Sequence, residues 1–246
     1  MLLALLLLCT ACSQAAAPDL EGSGPPHIQD EVVSRHAREF GELANRAPGS
    51  QEEQAASYYI LGHLQQAGYV VRLDAVPVRN LVNSTNLMAL PPSGNDPEVV
   101  VAAPYDEGSD LTVAVWLELA RALHAADGNH SVEFVALGAE TVRDRNGQLG
   151  ARRLARVLLD ADVDPVVVTM DVAEVGAGGV GVDGVGPAAD GLRQTTAQLG
   201  LEETAEGPAS IERTVFEQAG FEHVRMRGRP SEVGRVLLDY LTGGAD

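Results

Sequence analysis

Four carboxylates in this chain stand where they could hold a cation or move a proton. Asp106 lies just beyond the apolar run Val99 to Ala103, with Asp110 close behind it, while Glu140 follows Val132 to Leu137 and Asp171 follows Val166 to Met170. A positioned carboxylate can act as a general base or ligate a metal, and zinc takes carboxylate oxygen together with imidazole nitrogen. The six histidines do not fall beside these acids. His36 sits in an apolar helical stripe and reads as a packed core histidine, and His63 lies in a second stripe. His124 and His130 flank a loop away from the acids, His223 opens the last strand, and His27 is in an irregular segment. Other chemistries are excluded outright: all 17 basic residues are arginine, so no lysine can act. Both cysteines are in the first dozen residues, which leaves the body of the chain without a thiolate or a disulfide. No nucleophile elbow or phosphate-cradling glycine loop occurs. The glycine-rich run Gly176 to Gly186 fits no dinucleotide pattern and reads as a flexible loop.

The elements that must position these acids follow from hydrophobic pattern. Ile28, Val32, Val33, His36, Phe40 and Leu43 recur at helical spacing. Ser50-Gln51-Glu52-Glu53 is a capping box that opens a second helix, closed at Gly68. Strands are expected at Tyr69 to Val76 and Thr85 to Leu90. The three runs that precede the acids are nearly continuously apolar, without alternation, the mark of strands covered on both faces. Helical patterns at Leu111 to Ala126 and Leu149 to Leu159 separate them. The expectation is an α/β protein, a three-layer α/β/α sandwich around a mixed, mostly parallel sheet, with one domain over residues 28–246. Ligands of such sheets bind beyond the carboxyl ends of the strands. Those ends are Pro104-Tyr105-Asp106, Gly138-Ala139-Glu140-Thr141 and Asp171-Val172-Ala173-Glu174. The alternation of Arg225, Arg227 and Arg229 along the last strand reads as one solvated face.

An ordered series of segments resembles the zinc-dependent aminopeptidase and glutaminyl cyclase family, metallopeptidase family twenty-eight. The series comprises Arg46-Ala47-Pro48-Gly49-Ser50, Asn86 to Pro91, Val99 to Asp106, Leu117 to Leu123, Phe134 to Glu140, Gly147 to Arg152 and Met170-Asp171. The resemblance implies a zinc exopeptidase-like fold and a site where two zinc ions are held by two histidines and three carboxylates, with a glutamate activating water. On this sequence Glu140 falls on the general-base position and Asp171 on a ligand position. The bridging aspartate falls on Gly108, or on Asp110 if the loop is shifted by two residues. Asp110 also reads as an N-cap for the helix that follows, and Asp171 as a strand-end hydrogen-bond acceptor. Pro104 and Arg213 stand at the histidine positions and Thr141 at the glutamate ligand's. Arg213 could then pair with Asp171 or Glu140 and replace the cation.

Two carboxylates without imidazole are a poor zinc site. The expectation is therefore a non-catalytic domain, binding or structural, with Glu140, Asp110 and Asp171 as vestiges and no cofactor. The alternative is an active metallo-aminopeptidase with a displaced or single-zinc site around Asp106, Asp110, Glu140 and Asp171. Expected partners are peptides or a small ligand in the vestigial cleft. The formal charge of −18 argues against nucleic acid, whose affinity comes from basic residues neutralising phosphates. Met1 to Cys12 carries an apolar run of about 11 residues, ~17 Å as a helix, against the ~30 Å of a bilayer core. It reads as a lipoprotein-type signal segment over residues 1–12, with Cys12 lipidated, followed by a flexible tether over residues 13–27. The protein is expected at the cell envelope, on its periplasmic or other extracytoplasmic face, touching the membrane only through the lipid anchor.

Overall fold

A computed structural model describes residues 26–79, 82–91, 93–106, 108–126, 131–141, 147–173, 179–205, 207 and 211–243. The signal segment, Cys12 and most of the tether, together with His130, Glu174 and the start of the glycine-rich run, lie outside these residues.

Seven strands form one sheet: β1 (Val71–Pro77), β2 (Asn83–Ala89), β3 (Val99–Pro104), β4 (Val132–Leu137), β5 (Val166–Val172), β6 (Val180–Gly184) and β7 (His223–Gly228). Their order is β1-β2-β4-β3-β5-β7-β6. The central strands β4, β3, β5 and β7 run parallel, while β1 on β2, β2 on β4 and β6 on β7 are antiparallel. Among the described residues seven helices cover it: α1 (Asp30–Gly41), α2 (Gln51–Gln66), α3 (Asp110–His124), α4 (Leu149–Asp160), α5 (Pro187–Gln198), α6 (Ile211–Ala219) and α7 (Pro230–Thr242).

The nearly continuous apolar runs are explained by this layering. In β3, Val99, Val101 and Ala103 enter the core shared with α1, α2, α3, α5 and α7, whereas Val100 and Ala102 enter the core under α4 and α6. A strand buried on both faces has no polar alternation to display. Trp116 of α3 is fully buried, and its indole N–H donates to the Val101 carbonyl at 2.9 Å, so the ring is buried without leaving a donor unpaired.

The capping box at α2 forms with one displacement. Ser50 Oγ accepts from the Glu53 amide at 3.0 Å, but the Glu53 carboxylate reaches back to the Gly49 amide, one residue before the cap. Glu53 also accepts from the Ser84 hydroxyl on β2, which ties the helix start to the sheet.

The glycine-rich run contains a strand where a loop is expected. Residues 180–184 form the edge strand β6, because Val180 and Val182 point into the core and the intervening Gly181 lets a guanidinium lie on the backbone. A Cβ at Gly181 would stand 2.6 Å from Arg227 Nη2. The arginines of β7 do not form a solvated face either. β7 is flanked by β5 and β6, so Arg225 pairs with Asp171 on one side and Arg227 pairs bidentately with Asp183 on the other, at 2.5 and 2.9 Å. Arg229 instead precedes α7 as its N-cap residue.

Candidate functional site

The carboxyl ends of β3, β4 and β5 open on a cleft of about 250 Å³ lined by Pro104, Asp106, Glu140, Thr141 and Asp171, among others, with Arg225 reaching in from β7. Three of the four acids singled out by sequence thus meet in one place. None of the described residues lining the cleft is histidine or cysteine.

Pro104 closes β3 and the chain turns at Tyr105, whose amide donates to the Leu137 carbonyl at 3.1 Å. That bond holds the ends of β3 and β4 level and puts Asp106 beside Thr141. Asp106 is buried, and its Oδ2 accepts from the Thr141 amide at 2.6 Å and hydroxyl at 2.8 Å. Burial raises its pKa, while the Thr141 bonds act in the opposite direction.

Glu140 is placed by the turn after β4. Ala139 adopts φ 57°, a left-handed conformation uncommon for a residue with a side chain. The turn aims the Glu140 carboxylate at the start of α4, where Oε1 accepts from the Ala151 amide at 2.8 Å. An unsatisfied amide in the first turn of a helix is a favourable partner for an anion. Asn86 of β2 clamps the same junction: its Oδ1 accepts from the Gly138 amide at 3.1 Å and its Nδ2 donates to the Gly150 carbonyl at 3.0 Å. Gly150 is needed here, because a Cβ would lie 2.4 Å from the Gly138 carbonyl oxygen and 2.8 Å from Glu140 Oε1.

Asp171 lies at the end of β5, with its side chain 53% exposed, and accepts from Arg225 of β7. Register explains the partner. Arg225 sits opposite Thr169, two residues before Asp171 on the same face, which is the diagonal reach of a long side chain. Arg213, the arginine that the family alignment offers for this role, pairs instead with Glu217 one turn along α6 at 2.7 Å.

Asp110 turns the other way. It is the first residue of α3, and the N-cap position belongs to Ser109, whose hydroxyl donates to the Asp106 carbonyl at 2.6 Å. Its Oδ1 accepts from Arg46 Nη2 at 2.5 Å. Arg46, 2% exposed, is the residue that sequence reasoning passed over. It donates to the carbonyls of Leu43, Tyr105 and Asp106 at 2.8, 2.9 and 3.0 Å, and its guanidinium stacks on the Phe40 ring at 4.4 Å. One side chain therefore fixes the loop between β3 and α3. The available signal was a lone arginine in Arg46-Ala47-Pro48-Gly49-Ser50, a segment without the periodicity of a surface helix.

The described histidines stand apart from the cleft's lining. His223, behind the sheet end, bonds the Thr169 hydroxyl at 2.9 Å, stacks on Phe216 and is pushed down to about 4, first by burial and then by Arg213 and Arg225. His124 lies against Tyr69, and His36 and His63 face each other across α1 and α2.

No family model matches the sequence, and no curated protein sequence matches it. Its fold is nonetheless similar to solved structures over nearly their whole length. A zinc-dependent exopeptidase from Parabacteroides distasonis superposes with a TM-score of 0.74 at 12% identity, covering 89% of this chain and 99% of that one. The glutaminyl cyclase of Porphyromonas gingivalis gives 0.73 at 14% identity, with 87% and 98% covered. A leucine aminopeptidase precursor from Bacteroides thetaiotaomicron gives 0.72 at 11%, with 90% and 99% covered. With its seven-stranded mixed sheet between two helical layers, the chain has the α/β/α fold of these zinc-dependent exopeptidases and glutaminyl cyclases.

Proposed function

We propose that the chain is a non-catalytic binding protein on a zinc-exopeptidase scaffold, exported and anchored at the cell envelope through a lipid on Cys12, with the strand-end cleft taking a peptide or small ligand. The observation that carries this reading is the pairing of Asp171 with Arg225 inside the cleft. A guanidinium there supplies the positive charge that a zinc ion would bring to the same carboxylate. The other acids are engaged as well: Asp110 by Arg46, Asp106 by Thr141 and Glu140 by the Ala151 amide.

The donor set does not fit zinc. Two tightly held ions need imidazole nitrogens, and the positions aligned with the family's histidines are Pro104 and Arg213. Without a bound metal no water is brought to neutral pKa, and Glu140 has no activated nucleophile to serve.

The test is a peptidase and cyclase assay with zinc supplied. The chain leaves aminoacyl and glutaminyl peptides intact, while a peptide panel raises its melting temperature through the cleft. Turnover that disappears in Glu140→Gln would overturn the reading in favour of an active metallo-aminopeptidase.

A further inference from the structure

α1 and α2 face each other across a cluster that the cleft does not use. His36 and Glu39 lie one turn apart on α1, and Tyr59 and His63 lie one turn apart on α2. One ligand atom from each of His36, Glu39 and His63 falls within 4.8 Å of the others. The two imidazoles meet edge to face at 4.5 Å between ring centroids.

The hydrogen bonds fix which nitrogen is available. Tyr59 has one hydroxyl proton, and it is donated to Glu39 Oε2 at 3.1 Å. The 2.7 Å bond between Tyr59 and His36 must then be donated by His36 Nδ1–H, which leaves the lone pair on Nε2. An imidazole held through its N–H, with the other nitrogen bare, is the arrangement of a metal-ligating histidine.

We propose that His36, Glu39 and His63 form a divalent-metal site of the zinc type, with Tyr59 as a positioning residue. The donor set of two imidazoles and one carboxylate suits zinc and leaves a position for water, whereas calcium and magnesium take oxygen ligands. Ligands on a tetrahedral zinc at ~2.0–2.1 Å stand about 3.4 Å apart, so the cluster has to contract by up to about 1.4 Å. His63 and Glu39 are only half-buried and can rotate to do so, and they give the ion a path from solvent. Two guanidinium groups lie nearby: Arg121 is paired with Glu118, while Arg35 opposes the ion and limits its affinity. A bound ion would staple α1, the first helix after the tether, to α2.

This site is independent of the strand-end cleft, and titration of the purified full chain with zinc chloride separates the two. The expected result is one zinc ion per chain, with a rise in melting temperature. Binding is lost in His63→Gln, weakened about tenfold in Tyr59→Phe and unchanged in Asp171→Asn. If His63→Gln fails to fold by circular dichroism, Glu39→Gln gives the same comparison from the rim of the site. No zinc on the folded wild-type chain would overturn the proposal. So would binding that persists in both variants.

Discussion

Glu133 is a carboxylate held inside β4 on the face covered by α4, 3% exposed, with Oε1 lacking a hydrogen-bond partner among the described residues. Burial pushes it up to about 7 against the opposing influence of Arg72. The unfolded chain releases this proton near 4.5, so stability is fully present below that pH and falls as pH rises toward 7. The loss amounts to up to about 3 kcal/mol, from 1.36 kcal/mol per pKa unit. Glu133→Gln should therefore match the wild type in urea melts at pH 4 and exceed it by about 1–3 kcal/mol at pH 8; an unchanged difference between the two pH values would contradict the buried, protonated state. At this scale the sequence was a partial guide. The acids Asp106, Glu140 and Asp171 were legible because each follows an apolar run, and strands of a parallel sheet end together. Their partners were not. Arg225 reaches Asp171 only because β7 pairs with β5 in a particular register, and register is a long-range choice that no local pattern displays. His36 was legible as a buried histidine, but its Tyr59 partner comes from another helix.

At the scale of elements, two junctions hold the cleft. Arg46 ties the end of α1 to the β3–α3 loop through buried carbonyls and the Asp110 carboxylate. Its removal leaves those acceptors unpaired, and Arg46→Ala should lower stability by about 3 kcal/mol or more in denaturant titration. Arg46→Lys should not restore it, because an ammonium cannot span the same fork of acceptors. Gly150 is the second junction. Alanine is worth ~1 kcal/mol over glycine inside a helix, yet here the added Cβ would stand 2.4 Å from a backbone oxygen. The clash should win, and Gly150→Ala should destabilise by roughly 1–3 kcal/mol, visible as a lower melting temperature. β3, β4, β5 and α2 were legible from apolar runs and a capping box. β6 was hidden by the glycines that accommodate Arg227, a case of tertiary contact overriding local composition.

For the whole molecule, an ordered set of weak segments carried the fold where no single motif did, and the solved structures share that fold at 11–14% identity. Among the described residues no helix is long and apolar enough to cross a membrane. The cleft lies beyond the strand ends, and its acids are engaged by arginine, threonine and backbone donors. Function in such a fold lies in the site rather than in the sheet. The most direct test is the zinc content of the His63→Gln chain, purified without chelator and dialysed against zinc, measured by elemental analysis. No bound ion is expected, because the helix cluster has lost a ligand and none of the described residues lining the cleft is a histidine. Two zinc ions per chain, released by Asp171→Asn, would contradict it and return the strand-end cleft to metallopeptidase chemistry.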